Sequence, residues 1–183
     1  MTLSRKTAWS VLYWNVVFAT TIVCLGLTLS LRQMHSYDSL IVQIGREQNV
    51  DPRLIAAIIW KESHFDPVRT GQDGEIGLMQ VREAAHREWE AATGDKKYSR
   101  HELFNPELNI RAGTWYFAKA IKTWSRYSDP LPYALAHYNA GYSNVKRWAA
   151  VPHETSREFW NNITYPGTQR YVRDILARYR GGI

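Results

Sequence analysis

The segment 51–63 constrains the fold most, because it predicts a helix with one acidic side chain on its apolar face. Asp51 is a suitable N-cap for this helix. Ile55 and Ile58 mark the apolar face, and Glu62 follows them by seven and four residues. Residues spaced in this way lie on the same side of a helix. The chain must therefore fold so that a carboxyl group points along a buried stripe and not freely into water.

A carboxyl group in that position is expected to titrate abnormally. An ionised carboxylate that loses its water is destabilised, so we expect the pKa of Glu62 to be raised. A glutamate that stays protonated near neutral pH can act as a proton donor. Taken alone, the helix also allows a salt-bridged or solvated glutamate near its end.

Three short blocks, in a fixed order, add to this helix. Residues 62–65 read E-S-H-F, residues 77–80 read G-L-M-Q, and residues 136–141 read A-H-Y-N-A-G. They resemble the signature of the lytic transglycosylases that share a goose-type lysozyme fold, whose patterns are E-S-x-F, G-L-M-Q and A-x-Y-N-A-G. The resemblance extends over roughly residues 38–179.

The resemblance implies a mainly α fold, a lysozyme-like helical domain with a small irregular or hairpin lobe around residues 71–74. It also implies a peptidoglycan lytic transglycosylase, which cleaves between N-acetylmuramic acid and N-acetylglucosamine without water and leaves 1,6-anhydromuramoyl ends. In this reaction Glu62 is the one catalytic residue, first as proton donor and then as base, and the acetamido group of the sugar replaces a second carboxylate. His64 and His137 lack metal-ligand spacing, and we expect neither a metal nor a cofactor.

The family motifs also imply a set of substrate contacts. Ser63 is expected at the base of the site and Gln80 beside a sugar acetamido group, while Tyr138 could reach Glu62. Tyr171 could border the groove, although its apolar stripe makes packing an equally good interpretation. The complete set of expected substrate-binding residues is Ser63, Met79, Gln80, Tyr138, Asn139 and Tyr171.

Two other functions remain open in the sequence. A second carboxylate opposite Glu62 would favour a hydrolytic muramidase that activates water. Asp66 is expected to cap a turn instead, and Asp73 and Glu75 to be solvated loop residues; Glu83 is the remaining candidate. The other possibility is a peptidoglycan-binding module without catalysis.

The chain departs from the family pattern at two places. Residues 82–85 read R-E-A-A where many relatives have a proline, and Gly167 stands where relatives often carry a glutamate. We expect these departures to affect substrate contacts and not the catalytic assignment.

Apolar periodicity predicts further helices along the chain. They fall at 40–48, 81–92, 107–124, 130–140, 144–149 and 170–179, whereas 151–166 shows no clear pattern.

The N-terminal segment predicts a membrane anchor. Residues 8–31 are 24 residues without Lys, Arg, Asp, Glu or His, enough to cross about 30 Å of hydrocarbon as a helix. A cleaved signal peptide is the alternative, but residues 27–34 offer no convincing cleavage site. We therefore expect residues 1–37 to form an anchor and residues 38–183 a catalytic domain.

The predicted membrane topology and the net charge limit which partners the protein can have. We expect a single-pass protein of the bacterial cytoplasmic (inner) membrane whose catalytic domain faces the periplasm and cell wall. The net charge of +6, from 23 basic and 17 acidic residues, suits the carboxylates of peptidoglycan. The chain contains no nucleic-acid-binding module that we recognise, so the expected partners are the glycan strand and the membrane.

Overall fold

The computed structural model describes residues 13–26, 28, 36–94, 99–151 and 155–181. The chain divides into two compact units, Met1–Tyr37 and Asp38–Ile183. In the first unit, residues 13–26 and 28 are helical. Among the described residues, no helix is both long enough and apolar enough to cross a membrane. Nine residues of the predicted span at 8–31, namely 8–12, 27 and 29–31, lie outside the described residues.

The described part of the second unit consists of helices and short connections, as predicted. We number its helices α1 to α8 in chain order, with one 3₁₀ turn at Arg100–Phe104 between α3 and α4. The bounds are α1 Asp38–Gln48, α2 Pro52–Ser63, α3 Glu83–Thr93, α4 Pro106–Thr123, α5 Leu131–Ala140, α6 Tyr142–Ala150, α7 Ser156–Asn162 and α8 Pro166–Gly181. Neither α7 nor the 3₁₀ turn is predicted from the sequence, since neither has a long apolar period.

The ends of α2 follow from local chemistry. The Asp51 side chain accepts a hydrogen bond from the backbone N–H of Arg53, 2.9 Å away, and Pro52 is the first helical residue. The helix ends at His64, which has a left-handed backbone with φ of 55° and donates its N–H to the Trp60 carbonyl. Glu62 therefore lies in the last turn, where α2 meets the following loop.

The core lies between α4, α5 and α8. Helix α4 packs against α1, α3 and α5, and α8 packs against α2 and α5. Ile55 and Ile58 are fully buried, as are Phe117 of α4 and Val172 of α8. The predicted apolar face of α2 is thus confirmed, and it carries Glu62 to the edge of the core.

The loop that follows α2 forms the predicted irregular lobe. Two isolated antiparallel bridges pair Ile76 with Thr70 and with Val81. Gly77 has a φ of +77°, and a Cβ there would overlap the side chain of Asn109. Glycine is required at this position both by its backbone conformation and by the close approach of α4.

Asn109 ties this lobe to α4. Its Nδ2 donates to the carbonyls of Ile76 at 2.8 Å and Leu103 at 2.7 Å. Its Oδ1 accepts from the backbone N–H of Met79 at 2.8 Å. Because Asn109 is fully buried, these bonds satisfy groups that have no access to water. The G-L-M-Q turn is fixed in this way beside α2.

Candidate active site

Glu62 lies at the wall of a cavity of about 780 Å³ between α2, α5 and the lobe. Burial raises the pKa of its carboxyl group from 4.5 to about 7. The hydrogen bond from Tyr171 opposes this rise, the charge of Glu75 adds to it, and Arg82 and Arg69 oppose it. The raised pKa expected from the sequence is confirmed, and its main cause is the one expected.

Tyr171 is the direct partner of Glu62. Its hydroxyl donates a hydrogen bond of 2.6 Å to Oε1 of the carboxyl group. The tyrosine lies on α8, and its side chain is almost completely buried. Burial and the nearby Glu62 charge raise the pKa of Tyr171 well above 10, so the hydroxyl keeps its proton and remains a donor.

Tyr138 lines the cavity, but its hydroxyl points elsewhere. It donates to the backbone carbonyl of Met79 at 2.8 Å. Burial, followed by the charge of Glu62, raises the pKa of Tyr138 well above 10. The tyrosine is therefore close enough to Glu62 for the carboxylate charge to affect its pKa, although the direct hydrogen bond to the carboxyl group comes from Tyr171.

Asn139 also lines the cavity. Its Oδ1 accepts a hydrogen bond of 2.8 Å from the Thr168 hydroxyl of α8. The amide nitrogen of Asn139 forms no hydrogen bond with the part of the chain that the structure describes, so it remains a donor for a ligand. Thr168 was not foreseen from the sequence, because a contact across 29 positions has no local signal.

Gln80 lines the cavity and closes the lobe. Its backbone has a φ of 47°, and its Nε2 donates to the carbonyls of Arg69 at 3.1 Å and Gly77 at 2.9 Å. The Gln80 side-chain oxygen remains as an acceptor beside the cavity.

Met79 and Ser63 face the protein interior. Met79 is fully buried, and the Ser63 hydroxyl lies 2.8 Å from the Leu78 carbonyl and 3.2 Å from the Ile59 carbonyl. The Ser63 hydroxyl therefore satisfies backbone carbonyls of the interior. Substrate contacts by Ser63 and Met79 stay predictions.

The other acids near Glu62 behave differently from one another. Asp66 caps a turn as predicted, because its Oδ1 accepts from the Val68 N–H at 3.0 Å. Asp73 is solvated as predicted, with its side chain 76% exposed. The prediction that Glu75 is solvated is wrong, since its side chain is only 15% exposed and pairs with Arg82 at 2.8 Å.

Glu75 also lines the cavity. Burial acts to raise the pKa of Glu75, but its own backbone N–H and Arg82 outweigh burial and lower that pKa. Glu75 is therefore an ionised, ion-paired carboxylate. The arginine at position 82, where the chain departs from the family pattern, is the one sequence feature that could have pointed to this ion pair. No sequence feature pointed to Arg69 and Tyr116, which also line the cavity.

Metal-binding geometry is not found in this site. Within the described residues, no cluster of three or more His, Cys, Asp or Glu side chains is arranged to hold a metal ion. The chemistry on offer is a neutral carboxyl group, a tyrosine donor beside it, and amide groups along the cavity.

Comparison with known proteins agrees with this arrangement. Residues 39–161 match the model of the transglycosylase SLT domain. The chain belongs to this family. The resemblance read from the three sequence motifs is thus confirmed, and the lysozyme-like SLT fold with it.

Two curated proteins and one solved structure are similar to this chain. The chain is 31% identical to membrane-bound lytic murein transglycosylase F of Desulfosudis oleivorans, over 76% of this chain and 35% of that protein. It is 29% identical to lysozyme g of Struthio camelus, over 77% of this chain and 68% of the lysozyme. The complex of the 70-kDa soluble lytic transglycosylase with bulgecin A superimposes with a TM-score of 0.72 and 25% identity, covering 95% of this chain and 28% of that one.

This SLT chain therefore spans about a third of the length of the transglycosylase relative.

Proposed function

We propose that this SLT domain is a peptidoglycan lytic transglycosylase that cleaves the N-acetylmuramic acid to N-acetylglucosamine bond and leaves 1,6-anhydromuramoyl ends. The observation that carries the proposal is the state of Glu62, a largely buried carboxyl group with a pKa of about 7 at the wall of a large cavity. The curated relative from Desulfosudis oleivorans is named as an enzyme of this class.

One carboxyl group can perform both proton transfers of this reaction. Neutral Glu62 gives its proton to the glycosidic oxygen while the acetamido oxygen of the muramoyl residue attacks the anomeric carbon and the glycosidic bond breaks. The Glu62 carboxylate then takes the proton of the 6-hydroxyl, whose oxygen attacks the anomeric carbon and displaces the acetamido oxygen. A pKa near the working pH suits a group that must act first as acid and then as base.

Tyr171 supports the second half of this cycle. Its hydroxyl donates 2.6 Å to Oε1 of Glu62, and a hydrogen bond to the charged form favours that form. Oε2 has no hydrogen bond within the described residues and is the oxygen that we assign to the proton transfers.

Asn139 and Gln80 are proposed as substrate contacts. Asn139 and Gln80 line the cavity, and the Asn139 amide nitrogen and the Gln80 side-chain oxygen suit acetamido and hydroxyl groups of the sugar. Ser63, Met79 and Tyr138 are proposed to act by fixing the turn that carries Gln80.

The rival hydrolase has one supporting observation, the similarity to lysozyme g. It requires a second carboxylate that acts as a base for water. Glu75 lines the cavity, but its pairing with Arg82 at 2.8 Å and its lowered pKa make it a poor base. A binding module without catalysis would gain nothing from burying Glu62. Both points favour transglycosylation.

The decisive experiment is product analysis of digested cell wall by mass spectrometry. We expect muropeptides with anhydromuramoyl ends, lighter by one water than the reducing ends that a hydrolase would give. Glu62→Gln should lower the rate about a thousandfold, within the range of acid–base catalysis. Glu107→Gln, on the exposed start of α4, is the matched control and should keep the rate. Reducing ends, or full activity of Glu62→Gln, would refute the proposal.

We further propose that residues 8–31 anchor the protein in the bacterial cytoplasmic membrane with a single pass, and that the unit Asp38–Ile183 faces the cell wall. The uncharged run of 24 residues supports the anchor, and the related transglycosylase F is named as membrane-bound. The expected partners are the glycan strand and the lipid bilayer.

A further inference from the structure

The lobe carries four charged side chains to the cavity that holds Glu62. They belong to Arg69, Asp73, Glu75 and Arg82. Asp73, Glu75 and Arg82 form ion pairs and hydrogen bonds with one another. Arg82 contacts Glu75 through Nε at 3.0 Å and through its terminal nitrogen at 2.8 Å, and it lies 3.4 Å from Asp73. The second Glu75 oxygen accepts the Asp73 N–H at 3.1 Å.

Arg69 is the member of this set that has no partner. Its side chain is exposed, and its guanidinium makes no hydrogen bond or ion pair with any residue that the structure describes. Its backbone is fixed, because its carbonyl accepts from the Gly77 N–H at 2.8 Å and from Gln80 at 3.1 Å. The next residue, Thr70, pairs with Ile76. Arg69 therefore has an unpaired guanidinium group on a backbone that hydrogen bonds hold in place at the cavity wall.

The substrate of the proposed reaction carries the complementary charge. Peptidoglycan has carboxylates on its stem peptides, and a strand without stems has a free carboxylate on the lactyl group of each muramoyl residue. A guanidinium binds a carboxylate with two parallel hydrogen bonds. Arg82 is not available for this task, because Glu75 and Asp73 already neutralise it. The Glu62 carboxyl group makes its hydrogen bond with Tyr171 and none with Arg69.

We propose that Arg69 is a specificity-determining residue that binds a carboxylate of the glycan strand next to the bond to be cleaved. This inference rests on the proposed function, since it takes the glycan strand as the ligand. Arg69 therefore selects charged peptidoglycan strands over neutral N-acetylated glycans of the same length.

The test compares four substrates: strands with stems, strands stripped by an amidase, and each of the two after its carboxylates have been converted to amides. We expect Arg69→Gln to lower kcat/KM about tenfold on a charged substrate, mainly through KM, and to match the wild type on the amidated strands. Arg69→Lys should retain part of the effect. Arg87→Gln, which removes the same charge from the exposed pair with Glu83 on α3, is the control and should behave as wild type.

The two sources of carboxylate give different results. A loss confined to strands with stems identifies the peptide carboxylates, and a loss confined to stripped strands identifies the lactyl group. If Arg69→Gln matches the wild type on all four substrates, or loses the same factor on charged and amidated strands, the inference is overturned.

A binding measurement separates this inference from the proposed function. Affinity for charged strands is compared between Glu62→Gln and Glu62→Gln combined with Arg69→Gln, neither of which needs to turn substrate over. We expect about tenfold weaker binding by the combined variant. If the wild type does not cleave the strands but the two variants differ in affinity as expected, the transglycosylase is refuted and the carboxylate site is retained. Equal affinity of the two variants would refute the carboxylate site.

Discussion

At the scale of single residues, the properties of Glu62 result from opposing effects. Burial raises the pKa of its carboxyl group, while the hydrogen bond from Tyr171 lowers it, and burial prevails. The outcome is a pKa of about 7, between that of a solvated glutamate and that of a carboxyl group with no donor nearby.

This pKa predicts that Glu62→Gln stabilises the protein at alkaline pH. The pKa is about 7 in the folded state against 4.5 for an ordinary glutamate in water, so the folded state binds the proton more tightly. Its contribution to stability is therefore fully present below pH 4.5 and is lost as the pH rises through 7. The free energy of unfolding is compared between Glu62→Gln and the wild type at each pH. The advantage of the variant should grow by up to about 3 kcal/mol from pH 4 to pH 8. Urea denaturation of both proteins at both pH values measures this change. The same difference in unfolding free energy at pH 4 and pH 8 would contradict the prediction.

Tyr171→Phe should change the pH profile of the enzyme. Loss of the hydrogen bond removes the effect that lowers the pKa of Glu62, so the alkaline limb of kcat should move up by about one pH unit. The rate at the optimum should fall several-fold, because the carboxylate loses its donor. Tyr179→Phe is the control on the same helix, since its hydroxyl donates to Asp51 and not to Glu62. A profile for Tyr171→Phe that coincides with that of Tyr179→Phe would contradict the assignment.

At the scale of secondary structure, the site depends on how α4 holds the lobe. Helix α4 contributes no catalytic group, yet Asn109 on its buried side bonds the backbone on both sides of Gly77. Gly113, one turn further, allows Met79 to lie against the helix, since a Cβ there would overlap the Met79 side chain. Helix α4 therefore holds the G-L-M-Q turn in position through Asn109 and Gly113.

Asn109→Ala should be strongly destabilising. It leaves the Met79 N–H and the Leu103 carbonyl without partners in the interior, while the Ile76 carbonyl keeps the bond from the Val81 N–H. We expect this to cost about 3 kcal/mol of unfolding free energy. Asn161→Ala, an exposed asparagine on α7, should cost less than about 0.5 kcal/mol. Chemical denaturation of both variants gives the comparison, and similar midpoints would show that the three bonds contribute little.

At the scale of the whole molecule, the active site is assembled from distant parts of the chain. Glu62 comes from α2, its donor from α8, and the cavity walls from α5 and the lobe. All of these belong to the unit Asp38–Ile183, which makes its own core. Residues outside this unit contribute nothing to the site in the described part of the chain.

A fragment of residues 38–183 should therefore keep fold and activity. We expect the same thermal midpoint for the domain and a kcat within about twofold of the full chain on soluble glycan strands. The full chain should sediment with bacterial membranes and resist extraction by high salt, whereas the fragment should stay in the supernatant. Full-length protein that washes off with salt would contradict the anchor, and an unfolded fragment would contradict the domain boundary.

The local sequence determined most of the secondary structure and the position of Glu62. The N-cap at Asp51 and the apolar period of α2 depend on neighbours within a few residues, so they can be read directly from the chain. Only the tertiary structure decided which side chain meets the carboxyl group. Tyr171 lies 109 positions from Glu62, and its place on an apolar stripe fits packing as well as hydrogen bonding. Glu75 likewise looked like a solvated loop residue until the fold placed Arg82 against it, because the partner and the burial of a charge depend on packing across the domain.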